Sequence, residues 1–172
     1  MARNVEIKAR IREPDQFRER VEELSDTPVE ILDQQDTFFH VRRGRIKLRV
    51  FSDGRGELIA YQRPDAPGPV VSDYHLVRTE NPEGLKSFLD ELLGVRGVVR
   101  KRRRLYRTGQ TRIHLDYVED LGAFLELEVV LGEDQSKDDG ARIAGQILAD
   151  LWIPEADRVD SAYIDLLEDS DP

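Results

Sequence analysis

The chain has 172 residues, enough for one domain with a substantial core and too few for two of ordinary size. Its formal charge of -9 repels polyanions at long range, which argues against a general nucleic-acid or membrane binder and requires any anion site to be local and concentrated. The lack of cysteine excludes disulfides, thiolate zinc sites and thiol nucleophiles, and no stretch reaches transmembrane length.

The N-terminus runs into Asn4-Val5-Glu6-Ile7-Lys8 with no apolar leader, so a cytoplasmic location is the default expectation. Alternation of polar with apolar residues predicts a strand over 4–12. From Pro14 to Leu24, Phe17, Val21 and Leu24 form one stripe of a helix. Strands follow over 36–42, 45–51, 57–63 and 71–79, with Arg43-Gly44 and Asp53-Gly54-Arg55-Gly56 as hairpin turns. Asp65-Ala66-Pro67-Gly68-Pro69 reads as a loop.

Asn81-Pro82 then opens a helix carrying Leu85, Phe88, Leu89, Leu92 and Leu93, which Gly94 stops. Three more strands are predicted over 98–107, 111–118 and 123–131, the first two separated by Thr108-Gly109. Ser136-Lys137-Asp138-Asp139 has the form of a capping box and starts a helix with Ala144, Ile147, Leu148 and Leu151. A short last helix holds Tyr163, Leu166 and Leu167. Residues 1–168 are read as a single domain and 169–172 as an acidic, fraying tail.

Helices with one apolar stripe need an apolar surface, and the strands offer it in Val5, Ile7, Ile46, Leu48, Val50, Ile113 and Leu115. The charged faces then point away from the helices. An open sheet would leave them solvated, whereas closure would line a narrow lumen with opposing charges. The expected fold is α+β: an eight-stranded antiparallel closed tunnel barrel with a polar lumen and helices packed outside.

The basic residues recur at strand spacing, with Arg45, Lys47 and Arg49 on one face, Lys101 and Arg103 on another, and Lys8 with Arg10 on a third. Arginine forks and lysine point charges facing inward suit a polyphosphate. The acids Glu6, Asp116, Glu126 and Glu128 suit Mg2+ or Mn2+, which take a few carboxylates together with phosphate oxygens. One such strand alone reads as an ordinary half-exposed face; the weight lies in recurrence over several strands with opposite signs. Arg100, Arg102 and Arg104 alternate to the opposite face. His40, His75 and His114 lack metal-ligand spacing with one another, although His114 shares a face with Arg112 and Asp116, and Tyr61 and Tyr163 read as packing residues.

The ordered set Asn4-Val5-Glu6-Ile7-Lys8, Gln35-Asp36-Thr37-Phe38-Phe39, Gly44 to Arg49, Val99 to Arg103, Arg112 to Asp116 and Phe124 to Glu128 resembles the CYTH superfamily over nearly the whole chain. This group of triphosphate tunnel metalloenzymes includes class IV adenylyl cyclases and thiamine triphosphatases. The resemblance implies metal-binding roles for Glu6, Asp116, Glu126 and Glu128, and a catalytic role for Lys8. It implies that Lys47, Arg49, Lys101 and Arg103 grip the triphosphate, with Arg63 and Arg112 as further tunnel residues, and the strand spacing adds Arg10 and Arg45 to the expected substrate-binding set. Asn4 stands where the family motif has its first glutamate, which removes a negative charge from that position.

Two reactions fit this equipment: hydrolysis of an inorganic or organic triphosphate, placed slightly ahead, and cyclisation of ATP to cyclic AMP with release of pyrophosphate. A non-catalytic polyphosphate or nucleotide sensor and a scaffold with a merely charged surface are the rivals. The implied partner is a small-molecule triphosphate such as tripolyphosphate, ATP or thiamine triphosphate, with monomer and homodimer both compatible.

Overall fold

The computed structural model describes residues 2–62 and 68–170. Eight strands are arranged antiparallel: β1 (Ala2–Arg10), β2 (Glu30–Phe39), β3 (Arg45–Phe51), β4 (Gly56–Gln62), β5 (Val70–Thr79), β6 (Val95–Thr108), β7 (Thr111–Val118) and β8 (Gly122–Val130). They pair in the order β5-β4-β3-β2-β6-β7-β8-β1, and β1 also pairs with β5, so the sheet closes on itself. A two-residue strand, β9 (Arg158–Val159), continues the ladder on β1 where β5 leaves it.

Local chemistry fixes the element ends. Helix α2 (Pro82–Leu93) starts where the Asn81 side chain accepts from the Gly84 amide at 3.0 Å. It stops at Gly94, whose φ of 74° suits only glycine. Helix α3 (Lys137–Asp150) has the capping box: Asp139 N donates to Ser136 Oγ at 3.2 Å and Ser136 N to Asp139 Oδ2 at 2.9 Å. Gly44 turns the β2–β3 hairpin at φ 67°, and a Cβ there would stand 2.7 Å from the Tyr61 carbonyl oxygen.

Most of the oil lies outside the barrel. Helix α1 (Pro14–Leu24) and α3 bury Phe17, Val21, Ala144, Ile147 and Leu148 against Val5, Ile7, Ile113, Leu115, Leu125 and Leu127 of β1, β7 and β8. Helix α2 sets Leu89 and Leu85 on Phe39, Leu48 and Leu58 of β2, β3 and β4. Helix α4 (Tyr163–Ser170) closes one end of the barrel, where Tyr163 and Ile164 pack with Phe38, Val99, Val118 and Phe124. Helices α1, α2 and α3 therefore take the outward apolar sides of the strands, while α4 plugs one end of an otherwise largely ionic interior.

Strand β2 begins at Glu30, well before the expected 36, and β6 begins at Val95 rather than 98. The segment Glu30 to Gln35 lacks clear alternation and is strand because it pairs with β6, Glu30 opposite Leu105 and Gln34 opposite Lys101. Such non-local pairing leaves no mark in a short window of sequence. Helix α4 continues to Ser170, so Asp169 and Ser170 are helical rather than frayed. Most of the loop expected around 65–69, together with Arg63, falls outside the described residues. Among the described residues no helix is long and apolar enough to cross a membrane.

Candidate active site in the tunnel

Every strand of the barrel turns alternate side chains inward. Asn4, Glu6 and Lys8 of β1, Gln34 and Asp36 of β2, Lys47 and Arg49 of β3, and Lys101 and Arg103 of β6 face one cavity of about 450 Å³. Arg112 and His114 of β7 and Glu126 and Glu128 of β8 complete its ionic lining. Ala162 and Tyr163 form the floor. Toward the other end the lining changes to Leu32, Phe51, Leu76, Leu105, Glu57 and Arg78, of which Leu76 is 42% exposed, so this end is the mouth.

Two buried carboxylates hold the bases in place. Arg49 Nε donates to Asp36 Oδ1 at 2.7 Å and Arg49 Nη2 to Oδ2 at 2.8 Å, while Lys47 Nζ donates to Oδ2 at 2.8 Å. Burial pushes the Asp36 carboxyl up, but Arg49 and Lys47 together hold it well below the usual carboxylate range. Asp116, wholly buried, receives a bidentate pair from Arg103 at 2.7 Å for both bonds, Lys101 Nζ at 3.2 Å and the Tyr163 hydroxyl at 3.1 Å. Its carboxyl is likewise held well below the usual range, Arg103 and Lys101 overriding burial. Burial, with the neighbouring Arg103, pulls the Lys101 ammonium down to about 7.

A third group sits beside these clamps. One ligand atom from each of His114, Glu126 and Glu128 lies within 4.8 Å of the others. Arg103 Nη2 reaches Glu126 Oε2 at 3.1 Å and Arg112 Nη2 reaches Glu128 Oε2 at 2.8 Å. Both glutamates stay below their ordinary value: burial raises Glu126 against Arg103 and Lys8, and raises Glu128 against His114 and Arg112. Burial drives His114 down to about 4, so its imidazole is neutral near pH 7. His114 is 3% exposed and its Nδ1 has no hydrogen-bond partner among the described residues. A buried imidazole with an unpartnered ring nitrogen, close to two ionised carboxylates, fits a divalent cation.

The expected residues are distributed as follows. Lys8 lines the cavity, donates to the Ser161 carbonyl at 3.0 Å and lies 4.1 Å from the centroid of the Tyr163 ring. Lys47, Arg49, Lys101, Arg103, Arg112, Glu6, Glu126 and Glu128 all line the same cavity. Asp116 lies behind Arg103 and Lys101 and outside the group of three potential ligands. Arg10 is exposed, with its guanidinium 5.0 Å from the centroid of the Phe124 ring, and does not line the cavity. Arg45 binds Asp165 of α4 at 2.9 Å and fastens the helix that closes the tunnel. Asn4 is buried, and with its amide turned to satisfy both neighbours its oxygen accepts from Arg112 Nη2 at 3.2 Å.

Asp36, Tyr163 and His114 carry more of the site than sequence reasoning assigned them. For Asp36 the usable signal is its place across the β2–β3 hairpin, directly opposite Arg49. For Tyr163 there is none, because α4 reaches the tunnel floor only through the tertiary fold.

The CYTH domain family matches residues 2–163. The chain belongs to the CYTH family. Among solved structures, the PH1012 protein of Pyrococcus horikoshii OT3 is 24% identical with a TM-score of 0.86, covering 95% of this chain and 98% of that one. A conserved hypothetical protein of Pyrococcus furiosus is 20% identical with a TM-score of 0.83, covering 95% and 99%. HpAC1 of Hippeastrum, a candidate adenylyl cyclase with a dominant triphosphatase activity, is 14% identical with a TM-score of 0.70, covering 98% and 97%. At such identities the likeness shows the fold alone. No curated protein matches. Asn4 offers the Arg112 guanidinium an uncharged amide oxygen.

Proposed function

We propose that this CYTH protein is a divalent-metal-dependent enzyme that hydrolyses a phosphoanhydride of an inorganic or organic triphosphate inside the tunnel. One observation carries the reading: Lys47, Arg49, Lys101 and Arg103 converge on one lumen together with the cation-suited group His114, Glu126 and Glu128. A chain of net charge -9 that concentrates bases in an enclosed volume has built a local anion site against its own long-range field.

In this reading Arg49 and Arg103, fixed by Asp36 and Asp116, present a phosphate chain with guanidinium forks that need little reorganisation. Lys8, Lys47 and Lys101 add point charges toward oxygens whose charge grows as a P–O bond breaks. Glu126 and Glu128, with His114 beside them, would hold Mg2+ or Mn2+, which would supply Lewis-acid polarisation of the phosphate oxygens next to the carboxylates. The tunnel walls exclude bulk water and strengthen each of these interactions.

A class IV adenylyl cyclase is the second reading, favoured by the apolar residues Leu32, Phe51, Leu76 and Leu105 toward the mouth, where a nucleoside could rest. Incubation of the pure protein with Mg2+ or Mn2+ and tripolyphosphate, ATP or thiamine triphosphate separates the cases by product. Orthophosphate supports hydrolysis; cyclic AMP with equal pyrophosphate supports the cyclase; binding without turnover defeats both and leaves a sensor.

A further inference from the structure

Family resemblance assigns the metal to carboxylates alone. The geometry points to a centre that contains nitrogen: we infer that His114 joins Glu126 and Glu128 as a direct ligand, and that the tunnel therefore prefers first-row transition ions over Mg2+, with Mn2+ gaining least among them. This rests on the proposed metal-dependent reading of the tunnel and specifies which ion it takes.

Three features converge. The ligand atoms of the three residues lie within 4.8 Å of one another. Two donors on opposite sides of one ion at about 2.1 Å stand about 4.2 Å apart, so small side-chain adjustments bring the set onto a single ion. Next, His114 is 3% exposed and its Nδ1 has no partner among the described residues, although buried nitrogens are nearly always satisfied. Finally, the carboxylates divide their labour. Glu126 and Glu128 each place Oε2 on an arginine and carry a second carboxylate oxygen that can serve an ion. Asp116, by contrast, has both oxygens taken by the Arg103 fork, with Lys101 and Tyr163 also upon it. The β7 strand thus contributes an imidazole to the centre, while its aspartate orders the bases.

The consequence is selectivity. Mg2+ demands oxygen ligands and parts reluctantly with water, whereas imidazole suits Fe2+, Ni2+ and Zn2+, with Mn2+ the weakest binder of the first-row ions. A nitrogen in the set raises affinity for the second class and does little for the first.

The test loads the full-length protein with Mn2+ in the absence of phosphate and reads the hyperfine coupling of a bound nitrogen by pulsed electron paramagnetic resonance. The wild type shows 14N coupling, and His114→Gln, with its fold checked by circular dichroism, loses it. The variant also binds Mn2+ more weakly by on the order of 10–100-fold, the loss seen when even the groups that orient a ligand are removed. Its weaker Mg2+ affinity, read by competition, stays nearly unchanged. Bound Mn2+ without 14N coupling in the wild type overturns the inference, and that measurement needs no variant. Coupling that persists in His114→Gln, or no Mn2+ binding by the wild type, overturns it equally. Nitrogen coupling without turnover of any triphosphate sinks the enzymatic reading and leaves the centre intact; turnover without coupling does the reverse.

Discussion

The Tyr163 hydroxyl donates to Asp116 Oδ2 at 3.1 Å, tying the last helix to the middle of β7 through the tunnel floor. The same ring carries Lys8 Nζ at 4.1 Å on its face and meets Phe124 edge-on at 5.1 Å. One side chain thus seals the barrel end, shares the anchor of Arg103 and shapes the seat of the proposed catalytic lysine. Tyr163→Phe keeps the ring and removes the hydrogen bond to a buried carboxylate. The expected loss is roughly 1.5–3 kcal/mol, measured by chemical denaturation.

Asp36 is the sole carboxylate bonded to both Lys47 and Arg49 among the described hydrogen bonds. Asp36→Ala strands two buried cations and should cost about 3–5 kcal/mol. The pH dependence has a definite sign. The folded carboxyl titrates well below its ordinary value of 3.8, so its stabilisation is complete above that value and drains away as pH falls through the folded-state value. Below pH 4 the wild type loses stability more steeply than Asp36→Asn, which thermal unfolding scans at stepped pH will display.

Lys101 is pulled down to about 7 because burial and Arg103 disfavour its charge. A triphosphate reverses that balance and raises its value toward the ordinary one. Binding therefore takes up protons above pH 7 and weakens as pH rises. Calorimetry in buffers of different ionisation enthalpy should show net proton uptake at pH 8, absent in Lys101→Met.

The outer packing of α3 on β1 is tight at Gly140, where a Cβ would lie 2.5 Å from Val5 Cγ2 and 2.8 Å from Leu131 Cδ2. Val5 is fully buried and branched, so it has little room to yield. Gly140→Ala gains about 1 kcal/mol of helix propensity and loses about 1–3 kcal/mol to overpacking. A net fall in the melting midpoint is expected.

What the sequence disclosed follows from how far each signal reaches. Alternation in Asn4-Val5-Glu6-Ile7-Lys8 and Leu125-Glu126-Leu127-Glu128-Val129 placed both strands and their charged faces, because side-chain direction has a period of two residues. The helices of Asn81-Pro82 and Ser136 were legible from their caps. Closure was legible only jointly, from charges of both signs on faces turned away from the helices. The early half of β2, the role of Tyr163 and the link between Arg45 and Asp165 were not legible, since each depends on a partner far along the chain. Arg10 shares strand spacing with Lys8, yet lies beyond the cavity, exposed over Phe124 at the end of β1. Periodicity gives the face of a strand and not the depth along it.

In the proposed reaction water attacks a phosphoanhydride within this tunnel. Turnover of tripolyphosphate and ATP with Mn2+ in 18O-labelled water tests it most directly, with orthophosphate and pyrophosphate analysed by mass spectrometry. The account predicts one labelled oxygen per anhydride cleaved in the wild type, and loss of turnover when Glu126→Gln and Glu128→Gln are combined. Unlabelled pyrophosphate beside cyclic AMP, or full activity in that double variant, would contradict it.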